Sequence, residues 1–326
     1  MSYYLSWPLL ALVALVRLPF DYVRRQLTYL LLSIIATGPV PRHIAFEMDG
    51  NRRYARRLGK EGKQGHGDGF RALLRVLELC LRLRIHCVTV YAFAIDNFNR
   101  QKDEVDALME MAEMRLVEIA EKGCVVYSFV LVPSYWNSPR HLLDRYGVRL
   151  NVLGKRSLLP PNVQVAIEKA EYMTRHNKAA ILNVCAPYSS KHEITTAVES
   201  AVREALESGD MDGSTITEDT IEAQLSTSLV GSPPLDVFVR TSGVKRLSAF
   251  LTWQCNENTQ IHMVDTYWPD FGLRDFIPIL LQYQRKDLEL GAGCLPSDVK
   301  SVCMLQECTF LGLQAELSNG PLTSSS

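Results

Sequence analysis

The residues best placed to do chemistry stand together at Asp49, Gly50, Asn51, Arg52, Arg53, Arg56 and Arg57: one carboxylate, one amide and four guanidinium groups within nine positions. They follow an apolar run, Ile44 to Met48, that reads as a buried strand and ends at the turn-forming pair Asp49-Gly50. A carboxylate beside glycine and arginine, where a strand ends and a helix begins, suits a diphosphate carrying a magnesium ion. The carboxylate and waters hold the metal, backbone N–H groups face the phosphate oxygens, and guanidinium forks grip them. Taken alone, the stretch is equally compatible with a solvated basic loop after an ordinary strand.

A second stretch breaks the tie. Leu235 to Arg240 holds another short apolar strand, followed by Thr241, Ser242 and Gly243 and then by Lys245, Arg246 and Ser248. This is an anion site with no carboxylate in its loop. In open α/β sheets, ligands bind beyond the carboxyl ends of the strands, so two such loops can share one cleft. One loop with a metal-binding acid and one purely basic and hydroxylic loop point to two phosphorylated substrates. Only one of them is activated by metal to release its leaving group.

The elements that position these loops follow from the apolar periodicity. Strands are expected at 44–48, 87–93, 148–154, 179–185, 237–240 and 261–267, and helices at 70–84, 103–122, 160–176, 191–208, 217–224 and 275–290. Gly65-His66-Gly67-Asp68-Gly69 leads into the first helix, with His66 at its entry, and Thr217 caps the short one. Alternating strands and helices predict an α/β fold with a mainly parallel, six-stranded central sheet flanked by helices. Residues 38–291 make one catalytic domain, preceded by an apolar helical segment, 1–37, and followed by a tail, 292–326, expected to be disordered. In the apolar segment, blocks Leu5–Val16 and Leu27–Ala36 flank Arg17, Arg24 and Arg25. Each is shorter than the ~20 residues of a spanning helix. The segment therefore reads as interfacial or partner-packed helices, the alternative being a helix that covers the core. The apolar stretch Cys124–His141 breaks the rhythm and has no functional account.

Lys and Arg number 35 against 36 Asp and Glu, so no nucleic-acid footprint is visible. Eight cysteines without a CxxC pair read as reduced thiols of a cytosol-facing protein, and seven scattered histidines show no metal-ligand spacing.

The stretches HIAFEMDGNRRYARR, GHGDGF, YAFAIDNFNR with EVDALM, LNVCAPYSSKHEI, and RTSGVKRLSAFLTWQ followed by DTYWPDF resemble the cis-prenyltransferases, in the family's order. The Asn-Arg-Arg-Tyr form of the first motif points to the eukaryotic, dolichol-pathway members. The resemblance covers roughly residues 38–291. It implies elongation of farnesyl diphosphate by isopentenyl diphosphate, with Mg²⁺ and cis addition, to a long polyprenyl diphosphate used in protein glycosylation. The implied place of work is the cytosolic face of the endoplasmic reticulum membrane. Asp49 matches the aspartate that handles Mg²⁺ and the allylic diphosphate. Gly50, Arg52, Arg53 and His66 match positions around that leaving group, and Asn51 and Arg100 lie between the two substrates. Arg240, Arg246 and Ser248 match the isopentenyl diphosphate site. A growing chain would lie between helices 70–84 and 103–122.

Several positions depart from the family pattern. Glu47 replaces an apolar residue beside the aspartate, and a carboxylate on a buried strand must be paired or neutral. Ala94 and Asp96 stand for serine and glutamate, and Val244 and Gln260 stand where homodimeric members carry glutamates. Gly62 stands for an arginine that neighbouring Lys63 replaces. Glu289-Leu-Gly291 lacks the arginine of a closing Arg-x-Gly motif. The expectation is a heteromer in which a Nogo-B-receptor-like partner supplies it. Two alternatives stay open, a short-chain enzyme of specialised metabolism and a non-catalytic scaffold subunit; intact Asp49, Asn51, Arg53, Arg240, Arg246 and Ser248 argue against the scaffold.

Overall fold

The computed structural model describes Val23, Leu143 and residues 26–121, 146–210, 212–256 and 258–293; for 118–121 and 289–293 it describes the backbone alone. The expectations for Leu5–Val16, for Cys124–His141, for the tail from residue 294 and for the side chains of Glu289–Gly291 lie outside the described residues.

Among the described residues six strands form one sheet: β1 His43–Glu47, β2 Cys87–Tyr91, β3 Val148–Leu153, β4 Ala180–Cys185, β5 Val237–Arg240 and β6 Gln260–Met263. Their order is β3-β4-β2-β1-β5-β6 and every pairing is parallel. β1 is buried along its whole length. Its side chains alternate between two cores: Ile44 and Phe46 enter one, and Ala45 the other. Burial on both faces explains why the strand reads as an unbroken apolar run rather than an alternating one. The chain leaves β1 towards β2, while β5 lies on its other side, so the loops after β1 and β5 open into one crevice at the switch point.

The helices are α1 (26–35), α2 Asn51–Arg57, α3 Gly62–Arg82, α4 Lys102–Glu121, α5 Pro161–Thr174, α6 Ser190–Glu207, α7 Glu218–Ala223, α8 Ser226–Leu229 and α9 Leu273–Gly293. Thr217 caps α7 through a reciprocal bond with Thr220. Three expectations are corrected. α3 begins eight residues early, at Gly62 rather than Phe70, so the glycine-rich run and His66 lie inside its first two turns. Glycine at Gly65 is required by the approach of α2, because a Cβ there would sit 2.5 Å from the Asn51 carbonyl oxygen. Strands β2 and β6 stop at Tyr91 and Met263, before Phe93 and Tyr267, where the chain turns into site loops. The four-residue α8 has no counterpart in the expected elements, being too short for apolar periodicity.

α1 docks by Leu32 and Ile35, which join the core of Phe276, Ile279 and Leu280, and Gln284 Nε2 donates to the Ile35 carbonyl at 2.7 Å. Its other side shows Leu27, Leu30, Leu31 and Ile34 to solvent. No helix among the described residues is long and apolar enough to cross a membrane.

Candidate active site

Asp49 follows β1, and Gly50 turns the chain into α2 with φ at 106°, a left-handed value that suits glycine. A Cβ on Gly50 would lie 2.8 Å from the Tyr267 ring, so the turn is also packed shut. Trp268 braces this loop. Its backbone N–H donates to the Asp49 carbonyl at 3.0 Å and its indole N–H to the Gly69 carbonyl at 2.8 Å. Its ring stacks on Phe271 with centroids 5.7 Å apart and meets Phe46.

The two anion loops meet at Asp49. Arg240 Nη2, from the end of β5, donates to Asp49 Oδ2 at 3.0 Å, and Arg53 Nη2 lies 3.3 Å from Asp49 Oδ1. Arg53 also donates to Ser242 Oγ at 2.5 Å, tying α2 to the second loop. Burial alone would raise the Asp49 carboxyl. The hydrogen bond from Arg240 and the charge of Arg53 reverse that and hold it below the usual carboxylate value. In the second loop, left-handed φ at Ser248 (45°) and Ala249 (56°) folds the chain back, so that the Arg246 carbonyl and Ser248 Oγ accept from Arg240 Nη1 at 2.6 and 2.7 Å. Arg246 Nε donates to Ser248 Oγ at 3.1 Å. Arg240 itself is 2% exposed and stands behind Arg246 and Ser248.

Glu47 is indeed paired: its Oε1 lies 2.7 Å from Arg240 Nη1. Burial nevertheless pushes its carboxyl up to about 8 against the pull of Arg240.

A polar pocket of about 460 Å³ is lined by Met48, Asp49, Gly50, Asn51, Arg52, Arg53, Arg56, His66, Arg100, Val244 and Arg246. The structure thus brings together nearly every site residue expected from the sequence, with Arg240 and Ser248 immediately behind. Asn51, Arg52 and Arg53 sit on the first turn of α2, His66 on α3, and Arg100 after a 3₁₀ turn, Ile95–Asn99. Sequence reasoning missed the residue that gathers the cations. Glu104, in the first turn of α4, accepts from Arg100 Nη1 at 2.9 Å and lies 3.5 Å from His66 Nε2 and 3.6 Å from Arg52 Nη1. Its signal was the EVDALM stretch, which reads as an ordinary helix start. Burial and the Arg100 charge lower the His66 pKa, against the pull of Glu104, so the ring favours its neutral form.

Behind the pocket opens an apolar cavity of about 230 Å³ between α3, α4 and the sheet, with Phe70, Leu73, Leu77, Leu108, Met109 and Ala112 among its walls. Met48, Asn51 and His66 line both spaces. A ligand with an anionic head and a hydrocarbon tail fits this arrangement.

No cluster of three or more His, Cys, Asp or Glu able to hold a metal occurs among the described residues. Among the described residues lining the pocket, Asp49 alone offers a carboxylate, which fits Mg²⁺, an ion commonly held by one or two carboxylates with phosphate oxygens and water.

Comparison with known proteins gives one answer. The undecaprenyl diphosphate synthase family profile matches residues 48–291. A dehydrodolichyl diphosphate synthase complex subunit of Schizosaccharomyces pombe is 44% identical over 266 residues, 82% of this chain and 93% of that one. The geranylgeranyl-diphosphate-specific tritrans,polycis-undecaprenyl-diphosphate synthase of Thermococcus kodakarensis is 37% identical, over 80% of this chain and 90% of that one. Among solved structures, lavandulyl diphosphate synthase of Lavandula x intermedia, in complex with dimethylallyl diphosphate, aligns with a TM-score of 0.63 and 29% identity. That alignment covers 75% of this chain and 95% of that one.

Proposed function

This chain belongs to the cis-prenyltransferase family, and on that premise we propose that it elongates farnesyl diphosphate with isopentenyl diphosphate to a long-chain dehydrodolichyl diphosphate. The observation that carries the reading is the junction of a polar pocket, built on Asp49 and five arginines, with an apolar cavity across Met48, Asn51 and His66. The diphosphate head of the allylic substrate sits at Asp49, Gly50, Arg52, Arg53 and His66, and its tail enters the cavity. Arg246 and Ser248, backed by Arg240, hold the isopentenyl diphosphate, while Asn51 and Arg100 stand between the two. In the reaction the allylic C–O bond breaks and its electron pair leaves with pyrophosphate. The isopentenyl double bond then forms the new C–C bond to the allylic carbon, and the resulting cation gives up an adjacent proton to the departing pyrophosphate, which restores a double bond. The guanidinium groups of Arg52 and Arg53 stabilise the charge gathering on the leaving oxygen, being already oriented before it appears. The apolar walls keep water from the cationic carbon. Mg²⁺, which the family generally uses, neutralises phosphate charge when held at Asp49.

A second reading, a short-chain enzyme, is favoured by the likeness to lavandulyl diphosphate synthase. The cavity between α3 and α4 favours elongation instead. Heteromeric assembly is supported by the complex-subunit name of the S. pombe relative and by the missing arginine at Glu289-Leu-Gly291. The proposed partner resembles the Nogo-B receptor and supplies Arg-x-Gly. The exposed apolar side of α1 supports peripheral contact with the endoplasmic reticulum membrane on its cytosolic face.

The test is incorporation of radiolabelled isopentenyl diphosphate with farnesyl diphosphate and Mg²⁺, by this chain alone and with such a partner. Asp49→Ala serves as the blank. Long, partner-dependent and Asp49-dependent products are expected. Short products would favour the second reading, and no incorporation in either arm would reject both.

A further inference from the structure

We propose that Glu47 sets the affinity of the second anion loop: it holds the buried side of the Arg240 guanidinium and so withholds that group from an incoming diphosphate. The inference rests on the reading of Arg246 and Ser248 as the isopentenyl diphosphate site. Glu47 and Arg240 are register partners on β1 and β5, so their side chains leave neighbouring strands on one face of the sheet. Their side chains are 8% and 3% exposed. Arg240 Nη1 meets Glu47 Oε1 at 2.7 Å, the Arg246 carbonyl at 2.6 Å and Ser248 Oγ at 2.7 Å. Its two N–H bonds therefore face three acceptors. Nη2 is engaged by Asp49 Oδ2 at 3.0 Å.

A phosphate oxygen that approaches Arg240 must compete with Asp49 Oδ2 and Glu47 Oε1, which already engage its N–H groups and so weaken the attraction left for the ligand. The pair is not closed as a bidentate structural bridge, since Glu47 Oε2 and Arg240 Nε have no hydrogen-bond partner among the described groups. Without Glu47, Arg240 Nη1 would still be satisfied by the Arg246 carbonyl and Ser248. Loss of the acid therefore leaves the loop held and the guanidinium freer to meet phosphate.

The test titrates inorganic pyrophosphate calorimetrically into the full-length enzyme, together with its partner subunit where activity needs one, as wild type, Glu47→Leu and Glu47→Gln. Glu47→Leu is expected to bind about threefold to tenfold tighter, the scale of one hydrogen bond to Arg240, and Glu47→Gln, which keeps an acceptor there, tighter by less. The KM for isopentenyl diphosphate falls in parallel, while that for the allylic diphosphate stays within about twofold. Adding Arg246→Ala abolishes the gain, which ties it to the second loop. Unchanged or weaker pyrophosphate binding in folded Glu47→Leu overturns the proposal. Should that variant fail to fold, Glu47→Gln, which keeps the size of the side chain, decides by the same readout. Tighter pyrophosphate binding with no fall in the isopentenyl diphosphate KM would leave the Glu47 assignment standing and reject the loop as that substrate's site.

Discussion

Asp49 lies on the basic pocket and Glu104 stands behind its basic side chains. Asp49 draws in Arg53 and Arg240, while Glu104 draws in Arg52, His66 and Arg100. Without Glu104, the two guanidinium groups of Arg52 and Arg100 would repel one another in half-buried surroundings, and His66 would lose its partner. Glu104→Ala is therefore expected to raise the KM for the allylic diphosphate about tenfold, with a smaller change in that for isopentenyl diphosphate; steady-state kinetics with each substrate varied separately checks this. A second residue-scale prediction concerns His43. Buried on β1, its Nδ1–H donates to the Pro233 carbonyl at 2.8 Å, and its Nε2 accepts from Thr89 Oγ1 at 2.7 Å. Burial lowers its pKa from 6.5 to about 4. The unfolded chain thus takes up a proton below pH 6.5 that the folded chain refuses until about pH 4. Stability contributed by neutral His43 is full above pH 6.5 and is lost as pH falls towards 4, of the order of 3 kcal/mol. His43→Gln should flatten the pH dependence of the urea midpoint over that window.

At the scale of elements, the site depends on how closely α2 and α3 pack. Gly65 lets the Asn51 backbone approach, and at Gly69 an added Cβ would collide with the Asn51 side chain and touch Trp268. Gly69→Ala is expected to displace Asn51 and cut kcat at least about tenfold, because misplacing a positioning group by a fraction of an ångström already slows catalysis. Circular dichroism should show the helices retained. Removing the brace is expected to be harsher. Trp268→Ala loses the indole bond to Gly69 and the contacts with Phe46 and Phe271, and should cost about 3–5 kcal/mol in denaturant unfolding. The glycines show where element boundaries were legible and where they were not. A run of glycines reads as a loop when only intrinsic helix propensity is weighed. Here α2 lies against the same residues, and small side chains inside α3 are what permit that contact.

For the molecule as a whole, the cavity between α3 and α4 bounds the space open to the hydrocarbon tail of a bound substrate. Leu108 lines it, so Leu108→Trp is expected to shorten the products without abolishing the first condensation, as chromatography of the dephosphorylated prenols would reveal. The sequence by itself determined the parallel α/β order, the two phosphate-gripping loops and the residues of the polar pocket. These follow from local chemistry: apolar runs of strand length, turn residues at their ends, and arginines beside a lone carboxylate. It also raised the question of Glu47, since an acid on a buried strand demands a partner. Only the tertiary structure decided that the partner is Arg240, at position 240 against 47 and on the neighbouring strand β5, beyond the reach of any local rule. It likewise turned Glu104 from a helix-start acid into the hub of Arg52, Arg100 and His66, and placed His66 within α3 rather than at its entry. The reason is the same in each case. Sheet register and helix packing bring together charges that are distant along the chain, and burial then makes their pairing obligatory.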